Sequence, residues 1–221
     1  MKISQRTKQL LKNFSGINSN LMLKSGSTLS TINSTGTIYA SVNIDEDIPL
    51  DFGIYDLNQL LSSIALFDDP DVIFSDNFLT IRENKSELKF GKSPPEIIEK
   101  PKKEIVFPPH EVSIHLTQGQ IHKLMTAART LNVSDMSITS DGGDVTAMVF
   151  DIKNPSSNKF EILISQSDVE FAANFKTENM KMIAGDYDID ISSRGIARFR
   201  LVDDSLYYYL ALEKSSSFGD A

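Results

Sequence analysis

Hydrophobic positions along the chain switch repeatedly between helical spacing and strict alternation, and that switching predicts its elements. Ile3, Leu10, Leu11, Phe14 and Ile17 gather on one side of a helix that begins after Ser4, a good N-cap residue, and runs to about Phe14. Alternating stretches at 20–24, 37–44 and 50–55 read as antiparallel strands. Asp56 caps a short helix in DLNQLLSSIALF, where Leu57, Leu60, Leu61 and Ile64 fall at helical spacing. Strand-like pieces follow at 72–74, 78–82 and 86–90.

The texture changes at GKSPPEIIEKPKKEIVFPP, which holds five of the eight prolines and sustains neither period. Proline fixes φ and removes a backbone donor, so residues 92–109 read as a partly extended linker. It divides the chain into domains at 1–91 and 110–221. The second repeats the plan of the first: VSIHL leads into a helix from Thr117 to about Leu131, with Ile121, Leu124, Met125 and Ala128 on one face. Strands are expected at 136–140, 145–152, 160–165 and 169–175, then a short helix in TENMKMI, then strands at 187–191, 197–202 and 206–212. The predicted class is α+β, with two similar domains, each carrying two helices packed on antiparallel sheet.

Charge changes this picture. The formal net charge of −8 argues at first against a nucleic-acid ligand. Its distribution argues otherwise, because the first acidic residue is Asp45, and residues 1–44 carry Lys2, Arg6, Lys8, Lys12 and Lys24. A second acid-free stretch, 112–134, contains Lys123 and Arg129 and coincides with the second long helix. Lys8 and Lys12 point away from the apolar stripe of the first helix, with Lys2 and Arg6 on its flank. Lys123 lies opposite the apolar face of the later helix, flanked by His122 and Arg129.

Catalytic signatures fail one after another. FGKS at 90–93 has Ser86 where a phosphate-binding loop needs glycine, and prolines follow in place of a helix. Asp186, Asp188 and Asp190 have calcium-loop spacing, but Ile191 stands where the turn-making glycine belongs, and Tyr187, Ile189 and Ile191 alternate as in a strand. Asp68, Asp69 and Asp71 straddle Pro70 and read as a loop. Neither His110, His115 nor His122 has an acid or histidine partner at helical spacing. With no cysteine, disulfides, thiolate catalysis and cysteine–zinc sites are excluded. Asn13, Asn33, Asn84 and Asn132 begin Asn-x-Ser/Thr triplets that carry no meaning without a secretory leader, and MKISQRTKQLLKNF lacks a leader's apolar core. The expectation is no enzyme, no metal, no cofactor and no membrane span.

Three strings, LLKNFSGINSNLMLKSG, IYDLNQLL and NMKMIAGDYDI, resemble in order the sliding clamps of T-even-type bacteriophages, the processivity factors of the phage replicative DNA polymerase. The resemblance implies the DNA-clamp fold and a homotrimeric ring around double-stranded DNA, with two domains per chain and twelve helices lining the hole. On that frame Arg6, Lys8, Lys12, Lys123 and Arg129 are expected to face DNA, with Lys2, His122 and Lys181 as further candidates. Lys181 shares its segment with Glu178 and reads equally well as ordinary solvated surface. Subunits are expected to join by edge-strand pairing through Ser86, Leu88 and Phe90 of one and Glu161, Leu163 and Ser165 of the next. The partners implied are the phage DNA polymerase, an ATP-dependent clamp loader and late-transcription factors, in the cytoplasm of the infected bacterial host. Such partners dock short hydrophobic tails, and Ile97, Ile98, Val106 and Phe107 either help form that pocket or merely pin the linker to the sheet. The rival reading from the residues is a β-rich phage tail or capsid protein.

Overall fold

A computed structural model describes residues 1–101 and 105–219. The chain forms two compact units, Met1–Glu104 and Ile105–Ala221, and residues 102–104 of the expected linker lie outside the described residues.

In the first unit, α1 (Gln5–Ile17) leads to β1 (Leu21–Leu23), β2 (Gly26–Ile32), β3 (Ile38–Ile48) and β4 (Phe52–Ile54). Then come α2 (Leu57–Ile64), β5 (Asp71–Phe74), β6 (Phe78–Glu83) and β7 (Ser86–Gly91). All pairing is antiparallel: β2 with β3, β1 with β4, and β5–β6–β7 as a meander with β7 at its edge. Leu10, Leu11, Phe14 and Ile17 of α1 and Leu57, Leu60 and Ile64 of α2 are buried where the two helices pack together. Each such side chain contributes roughly 1.5–3 kcal/mol on leaving water.

β2 was not expected. Its GSTLSTI sequence buries only Leu29 and Thr31, so its apolar alternation is too sparse to register. β3 extends to Ile48 because Ile44, Glu46 and Ile48 all point inward, a pattern that a buried glutamate disguises.

In the second unit, β8 (Val112–Leu116) precedes α3 (Gln118–Leu131), β9 (Asp135–Asp141), β10 (Asp144–Phe150), β11 (Phe160–Gln166) and β12 (Glu170–Lys176). β13 (Tyr187–Ser192), β14 (Ile196–Leu201), β15 (Tyr207–Ala211) and β16 (Ser217–Phe218) complete it. The strands pair in the orders β8–β13–β14–β15 and β11–β10–β9–β12–β16, leaving β11 at an edge. A capping box starts α3: Thr117 Oγ1 accepts from Gln120 N–H at 3.3 Å, and Gln120 Oε1 accepts from Thr117 N–H at 2.9 Å. Asn132, in the left-handed region at φ 52°, ends it.

The short helix expected in TENMKMI is a single 3₁₀ turn, Thr177–Asn179. Bonds to two tyrosine hydroxyls take the place of further helical turns. The buried Tyr187 hydroxyl donates to the Ile183 carbonyl at 2.6 Å, and Ile183 N–H donates to the Tyr208 hydroxyl at 3.2 Å. Met180 leaves the helical region at ψ 56°, and those bonds fix Ile183 beyond it, so among the described residues the second unit has one α-helix where two were expected.

The first part of the proline-rich segment packs on the first unit. Ser93 N–H donates to the Gly53 carbonyl at 2.9 Å, and Ile98 is 4% exposed. A Cβ at Gly53 would be driven into the Ser93 carbonyl oxygen and to within 3.3 Å of Ile98 Cγ1. Gly53→Ala is therefore expected to lower stability by about 1–3 kcal/mol through overpacking, read as a lower urea midpoint with an unchanged slope.

Candidate nucleic-acid interface

α1 places its cations where helix electrostatics oppose them. Arg6 and Lys8 sit in the first turn, near the positive end of the helix dipole, and no acid lies in that turn. A carboxylate from β3 compensates. Glu46, 8% exposed, accepts Ser4 N–H, and its Oε2 accepts the Thr7 hydroxyl at 2.6 Å. Burial works to raise the Glu46 carboxyl pKa, but the Thr7 and Ser4 hydrogen bonds together outweigh it and hold the group below its ordinary 4.5.

The outer stripe of α1 is Gln5, Gln9, Lys12 and Gly16, with Arg6 and Lys8 half-buried on its flanks. Lys12 Nζ donates to Asn58 Oδ1 of α2 at 3.2 Å, and an Arg6 guanidinium N–H donates to the Asn43 carbonyl at 3.1 Å. On α3, Leu124 and Ala128 are buried, and the exposed face carries His122, Lys123, Thr126, Arg129 and Thr130. Arg129 donates to the Thr126 hydroxyl at 3.2 Å. One groove is lined by His122, Met125 and Arg129 of α3 together with Met180, Met182 and Ile183, so exposed Lys181 belongs to a segment bordering that helix.

Two features set these cations apart. The three helices hold 13, 8 and 14 residues without one acid, in a chain with 30 Asp and Glu. Among the described residues, no carboxylate lies within ion-pair distance of Lys8, Lys12, Lys123 or Arg129, whereas many strand cations are paired. Arg82 meets Glu87, Lys176 meets Asp135, Arg198 meets Asp190 and Arg200 meets Asp188. Lys2 differs from Lys8, Lys12, Lys123 and Arg129 in that its ammonium lies 3.1 Å from Asp69 and 3.8 Å from Asp71, acids of its own unit.

The remaining candidates are placed as follows. Ser86, Leu88 and Phe90 lie on edge strand β7, with Leu88 and Phe90 half-buried; Glu161, Leu163 and Ser165 lie on edge strand β11, where Leu163 is 62% exposed. Ile97 is exposed in the first unit, beside buried Ile98, which lines a groove with Ile32, Gly36 and Pro95. In the second unit Val106 is exposed, and Phe107 is half-buried with the Arg198 guanidinium 4.7 Å from its ring centre and Tyr209 5.9 Å away. Asp188 and Asp190 face cross-strand partners that no sequence spacing reveals: His115 Nδ1 at 2.9 Å from Asp188, and His110 Nε2 at 3.3 Å from Asp190. Among the described residues no three metal-ligating side chains converge, and no helix is long and apolar enough to cross a membrane.

This architecture is that of the clamp fold seen in proliferating cell nuclear antigens. A solved structure of A. fulgidus PCNA, with the C-terminal region of FEN-1 bound, superposes with a TM-score of 0.68 at 18% identity, over 95% of this chain and 96% of that one. The antigen of Entamoeba histolytica gives 0.65 at 18% identity, over 93% and 94%. Residues 3–106 match the DNA polymerase processivity factor family, and residues 113–214 match the C-terminal domain of the gp45 sliding clamp. The sliding clamp of Enterobacteria phage T4 is 32% identical over 98% of this chain and 99% of its own length; that of Vibrio phage KVP40 is 28% identical over 96% and 99%. The chain belongs to the family of phage sliding clamps.

The Glu46 contact is directly testable. A carboxyl whose pKa is depressed on folding stabilises above its unfolded pKa, and that contribution is lost as pH falls through the folded value. Glu46→Gln should lower the melting temperature at neutral pH and flatten its fall below about pH 4.5, as followed by circular dichroism.

Proposed function

We propose that this chain assembles as a homotrimeric ring that encircles duplex DNA and tethers the phage replicative polymerase for processive synthesis. The observation that carries this reading is the acid-free surface of α1, α2 and α3, on which Lys8, Lys12, Lys123 and Arg129 keep their charge unclaimed by their own fold. Cations left in this state attract phosphate irrespective of sequence, with a reach of about 10 Å at moderate salt. Topological closure supplies retention, so the attraction can stay weak enough to permit sliding. The acids carried elsewhere repel DNA from the outer surface and favour its passage through the hole. In the ring, Arg6 joins these cations, with His122 and Lys181 at the margin. The protein works by geometry, and no catalytic step is assigned to it.

Closure is assigned to the edge strands, one in each unit. β7 of one subunit adds to β11 of the next, a head-to-tail contact that satisfies both edges and closes after three copies. Ser86, Leu88 and Phe90 then lie against Glu161, Leu163 and Ser165 of the next subunit. Ile97, Ile98, Val106 and Phe107 are candidate contacts for the hydrophobic tails of partners: the polymerase, an ATP-dependent clamp loader and late-transcription factors. The place of action is the cytoplasm of the infected host. A β-rich tail or capsid protein has no use for two long helices, α1 and α3, that carry cations and no acid.

Sedimentation equilibrium should give three times the 24.6 kDa chain mass, and a hexamer or open polymer would reject the ring. The combined change Lys8→Glu, Lys12→Glu and Lys123→Glu should leave that mass unchanged. It should shorten the products of the loader-assisted polymerase and flatten the dependence of DNA binding on salt by about 0.9 for each phosphate no longer neutralised.

A further inference from the structure

α2 carries no charged residue, yet it continues the basic face of α1. Leu57 N–H donates to the Ser19 carbonyl at 2.8 Å, fixing the start of α2 beside the exit of α1. Asp56 caps it by accepting Gln59 N–H at 3.0 Å. With Leu57, Leu60 and Ile64 buried, the helix turns Asn58, Gln59 and Ser62 to solvent, and the Lys12–Asn58 bond joins their stripe to that of α1. The second unit follows the same rule on a single helix, where Thr126 and Thr130 lie between Lys123 and Arg129 and Thr126 receives the Arg129 hydrogen bond. One accessible cation in each unit, Lys12 in the first and Arg129 in the second, is thus tethered by a neutral acceptor. A carboxylate in the same place would cancel the charge.

From this arrangement we infer that Asn58, Gln59 and Ser62, with Thr126 and Thr130, are DNA-contacting positions that hydrogen-bond phosphate and sugar oxygens without adding charge. The inference rests on the encircling reading above and deepens it. Amide and hydroxyl groups reach the DNA backbone as readily as cations do, but they release no counterions. Contacts of this kind add affinity that salt does not remove. Each is also individually weak and exchangeable with water, so the DNA can move past without meeting a deep electrostatic well. The grip is thereby divided into a salt-sensitive share, set by the few helix cations, and a salt-insensitive share, set by their neutral neighbours.

The test uses the full chain and a short labelled linear duplex, with binding followed by fluorescence anisotropy over a range of salt concentrations. Asn58→Ala, Gln59→Ala and Ser62→Ala combined, at exposed helix positions where alanine is well tolerated, should weaken binding by about threefold to tenfold at every salt concentration and leave the salt slope unchanged. Asn58→Lys with Gln59→Lys should instead steepen the slope by about 0.9 for each phosphate newly neutralised. Lys8→Ala with Lys12→Ala is the reference, expected to lower both affinity and slope. If the reference behaves so while both α2 variants bind as the parent chain does, the inference is overturned and the encircling reading stands. A shallower slope in the alanine variant also overturns it, because the side chains would then act through charge. If the reference variant is itself unchanged, the encircling reading falls and the inference falls with it.

Discussion

A cation can attract a phosphate only if no carboxylate of its own fold has already claimed it. In an acidic chain this condition must be built in, and here it is met by segregation. The helices hold none of the 30 acids, while sheet cations such as Arg82, Arg198 and Arg200 are matched to acids across neighbouring strands. The segregation costs something at α1, whose first turn places Arg6 and Lys8 at the positive end of the helix dipole. Glu46 offsets that cost from beneath. It faces inward from β3 and spends its charge on the helix terminus, so it does not neutralise the outer surface. The cationic outer side of α1 and the carboxylate that supports its start therefore carry opposite charge on opposite sides of one helix.

The two units reach the same electrostatic result by different construction. The first uses two helices, of which only α1 is charged and α2 extends the surface without adding cations. The second uses α3 alone, bordered by a non-helical segment whose Ile183 is bonded to two buried tyrosines. The duplication expected from the sequence thus does not extend to the helices. What both units retain are acid-free α-helices and a strand at a sheet edge, β7 in the first and β11 in the second.

Much of this was legible in the chain itself. The helices announce themselves because Leu10, Leu11 and Phe14, and later Leu124 and Ala128, repeat at helical spacing. The acid-free stretches needed only counting. β2 escaped because Ser and Thr occupy most of its positions, and TENMKMI misled because its last residue, Ile183, bonds to the hydroxyls of Tyr187 and of Tyr208, the latter 25 residues away. The same limit applies to the site. Position on a helix could be read for Lys12 and Lys123, but nothing local signalled that Lys2 would be taken by Asp69 and Asp71, or that Asn58 would meet Lys12. Spacing gives the face of an element; the partner across the fold decides whether a charge on that face is still available.

The central claim is that DNA is held by being enclosed, with the helix cations only steadying it. The most direct measurement loads the protein on a closed circular duplex, challenges it with high salt, and then cuts the circle once. Enclosure predicts that the protein survives the salt wash on the circle and is lost by sliding off when the circle is opened. Release by salt from the uncut circle, or equal retention before and after the cut, would contradict it.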